Sequence, residues 1–83
     1  MQIDISKSAG RALRRSNKHR LIARKIIELA ENPDAFTANV VKLTARNGYR
    51  LRVQDWRIIF RIEGDILHID EIEPRGSIYE DRT

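Results

Sequence analysis

The stretch that decides the fold is YRLRVQDWRIIFRI, residues 49–62. Apolar and polar residues alternate on both sides of Gln54-Asp55, and a period of two is typical of strands that bury one face. A two-residue turn at Gln54-Asp55 would join the two halves into an antiparallel hairpin, although this pair lacks the glycine that tight hairpin turns prefer. The stretch therefore predicts a β-hairpin in the second half of the chain.

The turn also sets the register of this hairpin. It pairs six apolar residues across the two strands, and these must form the buried face. The pairs are Val53 with Trp56, Leu51 with Ile58, and Tyr49 with Phe60. On the other face, the same register places Arg52 opposite Arg57, with Arg50 beside them.

Three arginines on one face of a sheet predict an anion site. Like charges directly opposite each other destabilise a sheet, so stability does not require Arg52 to face Arg57. The planar guanidinium fork binds phosphate through two parallel hydrogen bonds. The alternative is that the arginines only keep an exposed sheet face soluble, a role that mixed charges would fill without repulsion.

The residues before the hairpin predict one strand and two helices. Residues 2–6 alternate as a short strand, and Ser6 or Ser8 can cap the helix that follows. Residues 9–31 have a helical pattern that breaks near residues 16–18. The second helix carries an apolar stripe at core-facing spacing, made of Ile22, Ile26, Leu29 and Ala30.

Two further strands complete the predicted sheet. Residues 40–44 form a β-branched run, and residues 66–72 have apolar side chains on both faces, which favours an interior strand. The order of elements predicts an α+β fold, in which the N-terminal strand and the helical pair pack on one face of a small, mainly antiparallel sheet. A chain of this length is expected to form a single domain over residues 1–83.

Composition excludes several kinds of site. The 83-residue chain has no cysteine, which excludes disulfides, thiolate nucleophiles and cysteine-ligated zinc. Its two histidines are too few to suggest a metal cluster, so neither a metal nor another cofactor is expected. No apolar run is long enough to span a bilayer, and Met1 is followed at once by QIDI rather than by a targeting leader. We therefore expect a cytoplasmic protein without a membrane partner.

Charge is distributed in blocks along the chain, whose formal net charge is +4. Residues 1–25 hold eight basic side chains and one acid, and residues 40–62 hold six basic side chains and one acid. Residues 63–83 hold two basic and seven acidic side chains. The two basic blocks suggest a polyanion or an acidic protein as partner, whereas the alternative is a solvated helix face with ordinary strand charges.

Three motifs resemble one known family. Residues 49–60 resemble the YRLRVGDYRVIY stretch of the RelE/ParE superfamily of bacterial toxins. Residues 72–79, IEPRGSIY, resemble the hxxRxxVY ending of its RelE-type members, and Lys42-Leu43 resembles their KLxG lead-in. The resemblance covers nearly the whole chain and implies the RelE-like fold.

The resemblance also implies a function. RelE-type toxins are ribosome-dependent endoribonucleases that enter the A site and promote attack of a ribose 2′-hydroxyl on the adjacent phosphate of mRNA, without a metal. In this sequence, Arg50 and Arg52 match the paired basic positions of the first hairpin strand, and Arg57 matches the arginine that faces the scissile phosphate. Arg75 matches a basic residue of the C-terminal motif, and Tyr79 matches the tyrosine that contacts the substrate.

Three residues depart from the family pattern. Arg50 and Arg52 stand where some members have lysine, and arginine cannot give up its proton to act as a base. Glu73 stands where some members carry another basic residue, and Gln54 replaces the usual turn glycine. The general base of the implied reaction is therefore left without an assigned residue.

The implied partners are the ribosome, its mRNA and a cognate antitoxin. Antitoxins of this superfamily are either intrinsically disordered or of the helix-turn-helix type. Nine basic residues outside the predicted catalytic set are expected to contact RNA phosphates of the ribosome. They are Arg11, Arg14, Arg15, Lys18, Arg20, Arg24, Lys25, Lys42 and Arg46. The alternatives are a ParE-like inhibitor of DNA gyrase without nuclease activity, and a catalytically degenerate member that only binds.

Overall fold

A five-stranded sheet forms the centre of the computed structural model, which describes residues 1–34 and 39–74. Its strands are β1 (Gln2–Ile5), β2 (Val40–Lys42), β3 (Tyr49–Val53), β4 (Trp56–Glu63) and β5 (Ile66–Pro74). Their order across the sheet is β1-β5-β4-β3-β2. β1 runs parallel to β5 and the other neighbours are antiparallel, which confirms the predicted α+β fold with a mainly antiparallel sheet.

Two helices, α1 (Lys7–Arg15) and α2 (His19–Glu31), connect β1 to the rest of the sheet. The Ser6 hydroxyl accepts a hydrogen bond from the Ala9 N–H at 3.1 Å and so caps α1; it is one of the two serines that the sequence offers for this role. The same hydroxyl donates to the Asp70 carbonyl at 2.8 Å, which fixes the start of α1 against β5. Within the described residues, neither helix is long and apolar enough to cross a membrane.

The core lies between the helices and one face of the sheet. The predicted stripe of α2 is buried along its whole length, as are the predicted apolar positions of the hairpin other than Tyr49, which is exposed, and Trp56, which is half-buried. The least exposed large side chains are Ile22, Leu29, Leu51, Ile58, Leu67 and Ile69. Burying such a side chain contributes about 1.5–3 kcal/mol, so these residues dominate the stability of a domain this small.

The segment between β2 and β3 differs from its prediction. β2 ends at Lys42 rather than at residue 44, because the chain turns back and the Leu43 N–H donates to the Gly48 carbonyl at 3.0 Å. Gly48 has a φ of 122°, and a Cβ there would lie 2.7 Å from the Phe60 carbonyl oxygen. Only glycine permits both this backbone conformation and this close approach to β4.

The hairpin has the predicted register. Val53 pairs with Trp56 across the Gln54-Asp55 turn, and Arg52 pairs with Arg57. Gln54 has a φ of 53°, which is the left-handed region where a residue with a Cβ is strained. The turn is therefore formed without the glycine that the family usually places there, at a conformational cost.

A Gln54→Gly variant is expected to raise the free energy of unfolding. The left-handed conformation costs a residue with a Cβ about 1–2 kcal/mol, and the greater flexibility of glycine in the unfolded chain offsets about 0.5–1 kcal/mol of the gain. Urea denaturation should therefore show a net stabilisation of about 1 kcal/mol or less. Asp55→Gly is the matched control, because Asp55 has no positive φ and should lose stability. A Gln54→Gly variant less stable than the parent would contradict this account of the turn.

Candidate functional site

The face of the sheet opposite the helices carries most of the charged strand residues, and we call it the charged face. Strand alternation and the contacts of Arg61 place eleven side chains there. They are Asp4, Arg50, Arg52, Arg57, Ile59, Arg61, Glu63, His68, Asp70, Glu71 and Glu73. The prediction that Arg50, Arg52 and Arg57 share one face of the sheet is correct.

A row of three charges crosses the middle of this face. Arg52 on β3 is paired with Arg57 on β4, and Arg57 is paired with Glu73 on β5. Arg52 is exposed, Glu73 is half-buried, and Arg57 is only 4% exposed. Arg57 is therefore a buried charge, which the sequence pattern did not indicate, and the predicted anion site stays a prediction. A buried cation needs an opposite charge nearby, and the Glu73 carboxylate directly across from it provides one.

Next to this row, Arg50 and Glu71 lie on either side of Ile59. Arg50 is half-buried, and a pocket of about 190 Å³ beside it is lined by Arg50, Arg52, Asn39 and Val41. Two guanidinium groups at the wall of a small solvent-accessible pocket form an arrangement that suits a phosphate group.

Arg61, which the sequence did not single out, is occupied by carboxylates. Its Nε and Nη2 donate to the two Asp70 carboxylate oxygens at 2.7 and 3.1 Å, and its Nη1 donates to Glu63 at 2.8 Å. The hydrogen bonds to Asp70 raise the pKa of Arg61 further above its already high ordinary value. Arg61 is therefore a structural partner of β5 rather than a phosphate-binding group.

Arg46 links the loop after β2 to the same acidic strand. Its guanidinium forms an ion pair with Glu71 and lies 3.9 Å from Asp70. A hydrogen bond with Glu73, followed by the interaction with Arg46, lowers the pKa of Glu71 below its ordinary value. Arg46 remains 48% exposed at its side chain, so its predicted role as a contact to ribosomal RNA stays a prediction.

The basic residues of the helices lie away from the charged face. The two helices cover the opposite side of the sheet, and six of their seven predicted cations are exposed. Lys25 is the exception, since it is half-buried and its Nζ lies 3.4 Å from Glu28. The structure thus brings Arg50, Arg52 and Arg57 together and places the helical cations on a second surface. Lys42, at the end of β2, is exposed.

Two predicted site residues, Arg75 and Tyr79, lie outside the described residues. The sequence analysis missed Glu71 and treated Glu73 only as a departure from the family pattern. Strand alternation places both acids on one face of β5, but their pairing with β4 depends on an irregular register between Ile59 and Phe60. The alternation of β5 is the signal in the sequence that could have placed both acids on one face, whereas their partners on β4 follow only from the observed register.

His68 lies at the far end of the charged face. Its Nδ1 is 3.2 Å from an Asp4 carboxylate oxygen and its Nε2 is 3.4 Å from a Glu63 carboxylate oxygen. His68 is half-buried, and its two carboxylate contacts tie β1 and β4 to β5. Among residues 1–34 and 39–74, no group of three or more histidine, cysteine or acidic side chains is arranged to hold a metal ion.

One family model and several solved structures match the chain. Residues 3–79 match the model of the ParE toxin of type II toxin–antitoxin systems, parDE. No curated protein matches the chain. In a RelB–RelE antitoxin–toxin complex from Methanococcus jannaschii, the matching chain is 25% identical with a TM-score of 0.72, and the match covers 96% of this chain and 99% of that one.

Two further solved structures share the fold. A chain of an archaeal RelE–RelB complex from Pyrococcus horikoshii OT3 is 23% identical with a TM-score of 0.72, and the match covers 90% of this chain and 94% of that one. YafQ from E. coli strain BL21(DE3) is 14% identical with a TM-score of 0.74, and the match covers 94% of this chain and 97% of that one. The observed order of strands and helices is therefore that of the RelE-like fold.

Proposed function

The chain belongs to the family of ParE toxins of type II toxin–antitoxin systems, and from this premise we propose that it is a metal-independent endoribonuclease that cleaves mRNA in the ribosomal A site. Such an activity would inhibit translation and would be exerted in the cytoplasm. The observation that carries the proposal is the gathering of Arg50, Arg52 and Arg57 on the charged face. The motif resemblance to RelE-type toxins supports it independently.

These arginines suit phosphoryl transfer for an electrostatic reason. When a 2′-hydroxyl attacks the adjacent phosphate, negative charge builds up on the non-bridging oxygens. Fixed cations that meet this charge stabilise the transition state without needing to reorganise. Arg57 is the best fixed of the three because it is buried in the middle of the sheet. In this proposal Arg75 and Tyr79 complete the catalytic set, as the family resemblance implies.

The proposed protein partner is a cognate antitoxin. RelE chains with this fold have been solved in complex with RelB antitoxins, including those from M. jannaschii and P. horikoshii. Exposed cations on both helices give such a partner an electrostatic target, and mRNA and ribosomal RNA offer phosphates to the same charges. An antitoxin that covers the charged face would keep mRNA away from Arg52.

A second candidate function is inhibition of DNA gyrase without nuclease activity. It is favoured by the family model, which is that of ParE rather than of RelE toxins. A third outcome is a binding-only toxin, since none of the three arginines can accept a proton. These candidates differ in what they do to mRNA and to supercoiled DNA, so one pair of assays separates them.

A reconstituted translation system with a defined mRNA tests the proposal. We expect cuts in the mRNA that follow the reading frame and that appear only when ribosomes are present. A gyrase supercoiling assay with the same protein preparation should show no inhibition. Gyrase inhibition without cleavage would replace the proposal by the ParE-like function, and neither effect would indicate a binding-only toxin.

A further inference from the structure

The proposed reaction lacks a proton acceptor. The attacking 2′-hydroxyl must lose its proton, and the arginines that bind the phosphate cannot take it. A carboxylate near the phosphate-binding arginines would serve as the base. The charged face offers three such groups on β5, namely Asp70, Glu71 and Glu73.

These three acids differ in the residues that they face or bind. Asp70 accepts two hydrogen bonds from Arg61, and Glu71 forms the ion pair with Arg46. Glu73 is the acid that lies directly across from Arg57, in the row that also contains Arg52. Directly opposed residues of antiparallel strands have Cβ atoms about 4.5–5.5 Å apart. A phosphate held by Arg52 and Arg57 would therefore bring its neighbouring ribose close to Glu73.

The charges around Glu73 suit a residue that takes up a proton and then releases it. Arg57 on β4 and Arg52 on β3 favour its ionised form before the reaction. Glu71, two residues back on the same strand face, has a pKa lowered by a hydrogen bond with Glu73 and by Arg46, so Glu71 is the ionised acceptor in the state in which Glu73 carries the proton. Ionised Glu71 accepts a hydrogen bond from Glu73 once Glu73 carries a proton, and this favours proton uptake. Environments that shift the pKa values of two neighbouring carboxyl groups in opposite directions are typical of acid–base sites.

We propose that Glu73 is the general base of the mRNA cleavage, an inference that rests on the proposed nuclease function. A Glu73 carboxylate oxygen takes the proton of the 2′-hydroxyl while the bond between O2′ and phosphorus forms. The bond between phosphorus and O5′ breaks, and the departing 5′-oxygen takes a proton from water. The products are a 2′,3′-cyclic phosphate and a 5′-hydroxyl, and Glu73 returns its proton to solvent.

Single-turnover cleavage of ribosome-bound mRNA at a series of pH values tests this role. Glu73→Gln keeps the size and polarity of the side chain but removes its ability to accept the proton, so we expect the rate to fall about 100- to 10,000-fold. The parent rate should rise with pH and level off once Glu73 is ionised, whereas the residual rate of Glu73→Gln should lack that plateau. Glu73→Asp should recover part of the lost rate. Glu63→Gln is the control on the same face, and it should lose far less because Glu63 lies at the other end of β4 from Arg57.

The outcomes separate this inference from the function on which it rests. If the parent cleaves mRNA and Glu73→Gln cleaves at the same rate, the nuclease proposal stands and Glu73 is not the base. If Glu73→Gln is slow but keeps the pH profile of the parent, Glu73 only positions Arg57 and the inference is overturned. If the parent itself does not cleave, both proposals fail. Thermal denaturation and ribosome binding of each variant show that it is folded and reaches its substrate.

Discussion

Replacing Arg57 with alanine is expected to lower the rate of ribosome-dependent mRNA cleavage by about 100- to 1,000-fold, the loss that follows removal of one fixed donor to a developing oxyanion. Arg57 is paired with Arg52 on β3 and with Glu73 on β5 and is 4% exposed, so its guanidinium meets the transition state without first losing a hydration shell. Its loss should appear in the single-turnover rate at saturating ribosome complex, because ground-state binding also depends on the remaining basic residues.

Because Arg57 is buried, the Arg57→Ala variant needs controls that separate a loss of folding from a loss of catalysis. Removing a buried cation leaves Glu73 without the charge opposite it, so Arg57→Ala is also expected to lower the free energy of unfolding. Arg57→Lys keeps the charge and loses only the fork, so it should remain folded and be intermediate in rate. Glu31→Ala removes an exposed charge from the end of α2, outside every predicted site, and should leave the single-turnover rate unchanged. Full activity in a folded Arg57→Ala variant would end the assignment of Arg57.

The hairpin was predictable because a two-residue turn allows few registers between its two strands. Once Gln54-Asp55 is placed at the turn, the alternation of apolar residues permits one register that buries a continuous face. The same local reasoning limited the helix cap to Ser6 or Ser8, of which Ser6 is the cap, and predicted the break at residues 16–18. Contacts within these segments are close in sequence, so the pattern of the residues and the observed packing agree.

The neighbourhood of Arg57 was not predictable in the same way. Its pairing with Glu73 crosses a strand interface that contains an irregularity between Ile59 and Phe60, and one extra residue moves every later side chain to the other face. Its burial is likewise a tertiary property. The sequence pattern shows the arginines, whereas the position of Glu73 beside Arg57 is known only from the strand pairing in the sheet.

The linear blocks of charge are also redistributed by the fold. The acidic residues after residue 62 form a separate block in the sequence, but β5 lies beside β4 and brings Asp70, Glu71 and Glu73 next to the arginines. The positive field of residues 40–62 is therefore partly neutralised on the charged face. Arg50 and Arg52 on β3, which lies two strands away from β5, remain the cations best placed to meet a polyanion.

Replacing Ile58 with alanine is expected to lower the free energy of unfolding by about 2–5 kcal/mol. Ile58 is fully buried, and it pairs with Leu51 on one side and Ile72 on the other. A domain of this size has a total stability of about 4–12 kcal/mol, so this one truncation removes a large part of it. Since each kcal/mol shifts the melting temperature by about 4–8 °C, calorimetry should show a drop of at least about 8 °C.

Ile62 supplies the matched control on the same strand. Its side chain is 38% exposed, so Ile62→Ala removes the same atoms but leaves a smaller cavity and should cost clearly less than Ile58→Ala. Ile58→Val, with one methyl group fewer, should fall between the parent and Ile58→Ala at about 0.5–1.5 kcal/mol. Because Ile58 and Arg57 are neighbours in the chain and point to opposite faces of β4, anchoring Ile58 in the core also holds Arg57 on the charged face. Equal losses of unfolding free energy at residues 58 and 62 would contradict the packing of the helices on this face of the sheet. They would also contradict the orientation assigned to Arg57.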